Sequence, residues 1–473
     1  MFVGREAELK ALEERHASMH FEMGVVYGRR RVGKTTLLNE FTKNKQAIFF
    51  SALKTNEALN LQSLSGSISH FVDGRDTGAV YSSFQNAFSR VFELAEDRRI
   101  VFVIDEYPYL AQSDPSVSSI LQHLIDHRKD SSQLMLIVNG SSVGQMRDMF
   151  MSGGGPLFGR KTFQIKVSPL RFFDLIPFFD KTRTGVIPYI YGVYGGTPKY
   201  FEGYNQNMSL KANILRDFME VGAMLLEEPE DVLRREVRDP ATYNAVFQAI
   251  ATGSTRYNEI SSKAKLESGN VSSHIKTLEL LDLVRKETSA GDGKRAKTQY
   301  LIADNMFAFW YRFMPRSLSL VNSGNAEAAF TYIEENLDQY MGSVFEQICL
   351  EWLWRVNGSD VLPIRFEEAG RWWGGDPRTK SSAEVDILAY NDRKEALLCE
   401  CKWSTSAVGT DILGALDDLS QIPYLAGYSK RHLCLFSRSG FTGACREAAK
   451  ARDDVLLITL DDMFANWQHQ GRM

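Results

Sequence analysis

The stretch Gly28-Arg29-Arg30-Arg31-Val32-Gly33-Lys34-Thr35 has the residue types and spacing of a phosphate-binding loop. Two glycines let the backbone turn tightly enough for successive N–H groups to surround phosphate oxygens. The start of a following helix adds positive potential. Lys34 is placed to reach the β- and γ-phosphates, and the Thr35 hydroxyl to ligate Mg²⁺. Thr36 lies in the first turn beyond the loop. A second group is Asp105-Glu106, which ends the apolar run Arg99 to Ile104. Asp105 is the candidate Mg²⁺ ligand, and Glu106 the candidate general base for an attacking water. The competing reading is two acids that merely close a strand at the surface. A third group is Asp386, Glu400 and Lys402, with Glu384 and an upstream Glu346. Hard carboxylate oxygens hold a divalent cation, and a nearby lysine orients or activates water.

These groups need strands and helices to position them. Met23 to Tyr27 reads as a short buried strand and Thr36 to Phe41 as a helix. Gln46 to Ser51, the run into Asp105, and Gln133 to Val138 read as further strands. Continuous apolarity of this kind suits parallel strands covered on both faces, hence an α/β nucleotide-binding sheet. Residues 54–98 and Ser116 to Arg128 read as mainly helical. The polar end Asn139-Gly140-Ser141-Ser142 offers a side chain to the γ-phosphate or the water, Asn139 first and Ser141 second; strand-end capping is the alternative. Gly153 to Lys161 reads as a flexible loop, followed by a strand from Thr162 to Val167 and a Phe-rich helix up to about residue 180.

Further on, Gly195-Gly196-Thr197-Pro198 predicts a tight turn into a helix. Residues 240–303 predict a winged helix: helices Ala241 to Ala251, Tyr257 to Lys265 and Val271 to Leu281, then a hairpin with a Gly/Lys/Arg tip. Lys263, Lys276, Arg285, Lys286, Lys294, Arg295 and Lys297 could touch phosphates, although interleaved acids make the patch modest. Packing or protein binding is the alternative use of this module. Asn305 to Phe313 is a dense aromatic helix expected in the core, with a boundary near 316–326. Glu384 to Ala389 and Ala396 to Trp403 alternate as two strands of a hairpin, which converges Asp386, Glu400 and Lys402. Glu346 lies in a helix from Gly342 to Trp354. Arg365, Arg371 and Arg378, with Trp372 and Trp373, could contact a nucleic acid, with structural tryptophans as the default.

The chain has 473 residues, which predicts about two to four domains. A formal net charge of -4 gives no overall signal for a polyanion, so a nucleic-acid surface must be local. Five cysteines, an odd number without a secretory leader, fit a reducing cytoplasm. Cys399 and Cys401 read as buried strand residues. No apolar run is long enough to span a bilayer.

Together the Phe2–Leu9 opening, Gly28–Thr35, Asp105-Glu106, Asn139–Ser142, Phe158-Gly159-Arg160 and Gly195–Pro198 resemble an archaeal-type AAA-like P-loop ATPase of the STAND class. The resemblance covers roughly the first 200 residues and implies ATP with Mg²⁺ as cofactors. It implies Phe2 and Val3 beside the adenine, Pro198 near the base, Asn139 as sensor, and Arg160 as an arginine finger in cis or on a neighbouring subunit of a homo-oligomer. The family's C-terminal domain is similar to the PD-(D/E)xK nuclease core. That likeness implies Mg²⁺ on Asp386 and Glu400, with Glu346 completing the shell, Lys402 serving the water, and DNA or RNA as target. The implied architecture is an ATPase core over 1–180, a helical lid over 181–239, a winged helix over 240–315 and a nuclease-like α/β domain over 326–473. A catalytically silent last domain in an ATP-dependent regulator or scaffold is the alternative.

Overall fold

A computed structural model describes residues 2–291 and 297–470. They divide into two compact units. The first comprises Met1–Leu170, Thr197–Glu202 and Leu280–Asp282; the second comprises Arg171–Gly196, Gly203–Glu279 and Leu283–Met473. The segment expected as a helical lid is thus split, with only Thr197–Glu202 in the first unit.

The first unit is built on five parallel strands: β1 (Glu22–Tyr27), β2 (Ala47–Ser51), β3 (Ile100–Asp105), β4 (Leu134–Gly140) and β5 (Phe163–Lys166). Their order is β2-β3-β4-β1-β5. β3 and β4 are buried along their whole length, which is why they read as unbroken apolar runs. One face packs Leu12, Leu37, Leu38 and Phe41 from the helices Glu6–Ala17 and Lys34–Thr42. The other packs Leu64, Phe88 and Leu121 from three further helices. Each such side chain withdraws about 1.5–3 kcal/mol of apolar surface from water. Because the strands are parallel, the segments that follow β1, β3 and β4 emerge at one edge, where ligands of open α/β sheets bind.

In the second unit the expected Phe-rich helix is only a short turn, Phe172–Leu175, followed by a 3-10 segment, Ile176–Phe179. Three helices, Pro240–Ala251, Tyr257–Ala264 and Ser268–Leu280, precede a hairpin of β6 (Val284–Thr288) and β7 (Thr298–Ile302). The predicted tip cations Lys294 and Arg295 lie outside the described residues. The aromatic helix is core, as expected, but it runs from Asn305 to Asn322 through Pro315. A turn at 323–325 then leads into a long helix, Ala326–Val356.

The last part is a mixed sheet of β8 (Glu368–Asp376), β9 (Ser381–Tyr390), β10 (Glu395–Lys402), β11 (Lys430–Ser437) and β12 (Val455–Thr459), in the order β12-β11-β10-β9-β8. β8, β9 and β10 are antiparallel, and β10, β11 and β12 are parallel. The predicted hairpin is therefore the centre of a five-stranded sheet. All five cysteines are buried and free. Among the described residues no helix is long and apolar enough to cross a membrane.

Candidate functional site

The loop after β1 is shaped by backbone conformation. Gly28 has φ 157°, and a Cβ there would meet the Val167 carbonyl oxygen at 2.2 Å. Gly33 is left-handed and caps the helix Lys34–Thr42. Lys34 is buried, with Nζ donating to the carbonyls of Gly28 at 2.9 Å and Arg29 at 3.0 Å. Its ammonium therefore already sits inside the curve of the loop. Thr35 and Thr36 are exposed in the first turn, and Val32 is fully buried in the sheet's core, so Val32 offers a ligand only its backbone.

At the end of β3, Asp105 Oδ2 accepts the Thr35 hydroxyl at 3.0 Å, and Asp105 Oδ1 accepts Nδ2 of Asn139 on β4. Burial foremost raises the Asp105 pKa; Thr35 and Asn139 work against that rise. A pair of hard oxygens held by complementary donors is chemically suited to Mg²⁺, and Thr35 and Asp105 are the residues that could hold it. Glu106 is a non-glycine residue at φ 53° and caps the helix Tyr107–Ser113. Left-handed backbone of this kind costs about 1 kcal/mol or more and concentrates at functional positions. Its Oε2 accepts the Ser141 hydroxyl at 2.9 Å and the Ser141 N–H at 3.2 Å. Asn139 and Ser141, the two candidates from the sequence, thus face different acids: Asn139 the Mg²⁺ candidate, Ser141 the base candidate. That division was not legible in the sequence.

Two braces leave no signal in the sequence. Arg5 is buried and donates Nη2 to the carbonyls of Val32 at 2.9 Å and Ser168 at 2.7 Å. Arg29 is 1% exposed and donates to Thr197 Oγ1 at 2.8 Å, with its guanidinium 6.0 Å from the Tyr200 ring centroid. The residue before Pro198 is thereby tied to the phosphate loop. Arg30 donates to the Tyr109 hydroxyl at 2.6 Å, and Arg31 carries a left-handed φ of 70°. Phe2 packs against the core that holds Val32, and the neighbouring Val3 is partly buried.

Arg160 does not join this group. Two residues later, Thr162 N bonds the carbonyl of Met23, at the start of β1. Gly28 follows the far end of β1. With a rise of about 3.3 Å per residue, Arg160 lies on the order of 15 Å from the loop. It is paired with Asp126 at 2.7 Å and 2.9 Å. A finger role in cis does not fit this placement, because the residue belongs to the opposite edge of the sheet.

In the second unit, β9 and β10 bring Asp386, Glu400 and Lys402 together. Asp386 Oδ2 accepts the Cys401 N–H at 2.8 Å, and Lys402 pairs with Glu400. Burial raises the Glu400 pKa, with Asp386 adding to it. For Lys402 burial opposes the charge, but Glu400 outweighs it and the pKa rises. Glu346 is pushed up to about 7, mainly by burial. Its partner is Arg371, which also approaches Glu384 at 3.3 Å. Among the described residues no three His, Cys, Asp or Glu side chains are grouped closely enough for a metal ion. In this conformation a guanidinium neutralises Glu346, one of the three carboxylates that could hold a divalent cation. Of the expected nucleic-acid contacts in this domain, Arg371, Arg378 and Trp372 have partners within the fold, whereas Arg365 is exposed. Arg371 is in these ion pairs, Arg378 pairs with Asp376, and Trp372 is buried and stacked on Tyr424 at 5.7 Å. Trp373 is buried as well.

The parallel sheet, the loop on Lys34 and the acids after β3 define a P-loop ATPase. Residues 2–203 match a family described as an ATPase domain predominantly from Archaea, and residues 310–412 match archaeal and bacterial proteins of unknown function. The chain is 31% identical over 467 residues to the uncharacterized protein MJECL04 of Methanocaldococcus jannaschii, covering 98% of this chain and 100% of that one. It belongs to the family of that protein. A shorter stretch of 46 residues, 10% of this chain and 78% of the other, is 46% identical to the uncharacterized ATP-binding protein MJ0423 of the same organism. Among solved structures, the Walker-type ATPase PABY2304 of Pyrococcus abyssi is similar, with a TM-score of 0.49 and 20% identity over 65% of this chain and 95% of that one.

Proposed function

We propose that this protein is an ATP-hydrolysing switch whose second unit acts on nucleic acid. The observation that carries the reading is the paired arrangement at one sheet edge: Asp105 on Thr35 and Asn139, and Glu106 on Ser141. Bound Mg²⁺ would supply charge neutralisation at the phosphates. The remaining work falls to the chain. The Gly28–Thr35 backbone cradles the phosphates, and Lys34 exchanges the carbonyls of Gly28 and Arg29 for phosphate oxygens. Glu106 leaves Ser141 to take a proton from the attacking water. Asn139 steers the γ-phosphate or the water, and Phe2, Val3 and Pro198 border the base. Arg160 acts only in trans, which calls for a homo-oligomer. The movement of Thr197 with Arg29 links nucleotide state to the lid over 181–239.

For the second unit we favour a winged helix over 240–315 followed by a PD-(D/E)xK-like domain over 326–473. The sequence of elements supports this: a long helix, three antiparallel strands, a helix and a parallel strand. Asp386, Glu400 and Lys402 occupy adjoining strand positions, as such a nuclease requires. The pairing of Glu346 with Arg371 favours a second reading, in which the domain recognises nucleic acid without cutting it. Incubating the protein with single- and double-stranded DNA and RNA, with and without ATP and Mg²⁺, separates the two. Cleavage lost in Lys402→Ala supports the nuclease. Salt-sensitive binding without cleavage supports the recognition module, and neither result rejects both.

A further inference from the structure

The carboxylates of the second unit already hold a cation. Arg371 on β8 pairs with Glu346 of the helix Ala326–Val356 and with Glu384 of β9. One guanidinium thus spans the two elements whose acids would have to close on a divalent ion. It supplies positive charge through a planar set of donors. Asp386 and Glu400 meanwhile satisfy themselves on the Cys401 N–H and on Lys402.

Arg371 stands opposite an irregularity in β9. Between Gly370 and Trp372 the register shifts: β8 advances two residues while β9 advances three, from Leu388 to Val385, so the extra residue lies in β9 beside Asp386. The segment of β8 that carries Arg371 is in turn held by the β6–β7 hairpin. Ala290 N donates to the Arg371 carbonyl at 2.9 Å. Ser289 Oγ donates to the Trp373 carbonyl at 3.0 Å and accepts the Trp373 N–H at 3.1 Å. Ser289 is buried. Arg285 of β6 also lines the same cavity, of about 700 Å³, as Glu346, Arg371 and Asp386.

We infer that Arg371 is a latch: it stands in the place of a divalent cation at the carboxylate site, and the β6–β7 hairpin holds it there. Displacing the hairpin from β8 withdraws the guanidinium and frees Glu346 and Glu384. The inference rests on the nuclease-like reading of this domain, but its test does not depend on cleavage.

The test is Mn²⁺ binding to the nucleotide-free full chain, followed by electron paramagnetic resonance. All proteins carry Asp105→Asn, so that the P-loop site does not contribute. Arg371→Gln should bind one Mn²⁺ at least about tenfold more tightly than the parent, the worth of one partly buried ion pair. Adding Asp386→Asn should remove that gain, and Arg371→Lys, which keeps the cation, should show little of it. Ser289→Ala loosens the hairpin without touching a carboxylate and should move affinity in the same direction, which keeps the test alive if Arg371→Gln does not fold. Equal Mn²⁺ binding by the parent, Arg371→Gln and Ser289→Ala, tight or absent, overturns the latch. Tightened Mn²⁺ binding without cleavage of DNA or RNA would uphold the latch and reject the nuclease. Equal cleavage by the parent and Arg371→Gln would do the reverse.

Discussion

Thr197→Val removes one oxygen from a buried contact and keeps the side chain's shape. Thr197 is 0% exposed and Arg29 1% exposed, and their bond is 2.8 Å. A hydrogen bond to a charged donor contributes about 1.5–3 kcal/mol. The contact with Tyr200 at 6.0 Å survives the change, so we take about 2 kcal/mol. For a unit of this size that is a fall of about 4–8 °C in Tm. The same change should weaken ATP binding, because Arg29 lies inside the phosphate loop and its carbonyl is one of the two that hold Lys34. Differential scanning calorimetry, with and without ATP, reads both effects. A Tm within about 1 °C of wild type, with unchanged ATP affinity, would refute the idea that Thr197 braces the loop.

Other expectations follow from the same contacts. Arg5→Ala frees the carbonyls of Val32 and Ser168 and should lower ATP affinity while leaving the second unit's melting unchanged, as seen by calorimetry. Ser141→Ala removes one of the two bonds that hold Glu106 and should change the hydrolysis rate more than the ATP dissociation constant, as measured by single-turnover kinetics. Glu351 accepts the N–H groups of Phe172 and Phe173 and is pushed up to about 7, mainly by burial. Its folded pKa exceeds the unfolded value of about 4.3, so its stabilising contribution is full below that value and is lost as pH rises through about 7. Denaturant titrations should therefore show Glu351→Gln gaining about 1–3 kcal/mol relative to wild type between pH 5 and pH 8; a constant difference would contradict this.

Much of the first unit was legible because its physics is local. Unbroken apolar runs mark strands covered on both faces, and the glycine spacing before Lys34 reports a backbone that must turn closely. The acids at 105 and 106 could be placed at a strand end for the same reason. What could not be read were contacts between distant segments. Arg5 reaches Val32 and Ser168, and Arg29 reaches Thr197, across separations that no periodicity records. The sequence leaves open whether Arg160 serves its own subunit or a neighbour, because a loop's cation does not declare which end of the sheet it occupies. In the second unit alternation located the strands of Asp386 and Glu400. The bulge in β9 opposite Arg371 depends on the register between β8 and β9, which one strand's sequence does not specify.

The most direct measurement of the central claim is phosphate release from ATP with Mg²⁺ by the wild-type chain, Lys34→Ala and Glu106→Gln, beside equilibrium ATP binding by each. The account predicts hydrolysis by the wild type and loss of ATP binding in Lys34→Ala. In Glu106→Gln it predicts retained binding with hydrolysis reduced by a factor on the order of 10² or more. Hydrolysis by Glu106→Gln at the wild-type rate would contradict the assignment of Glu106 as the base and of this sheet edge as the catalytic centre built around it.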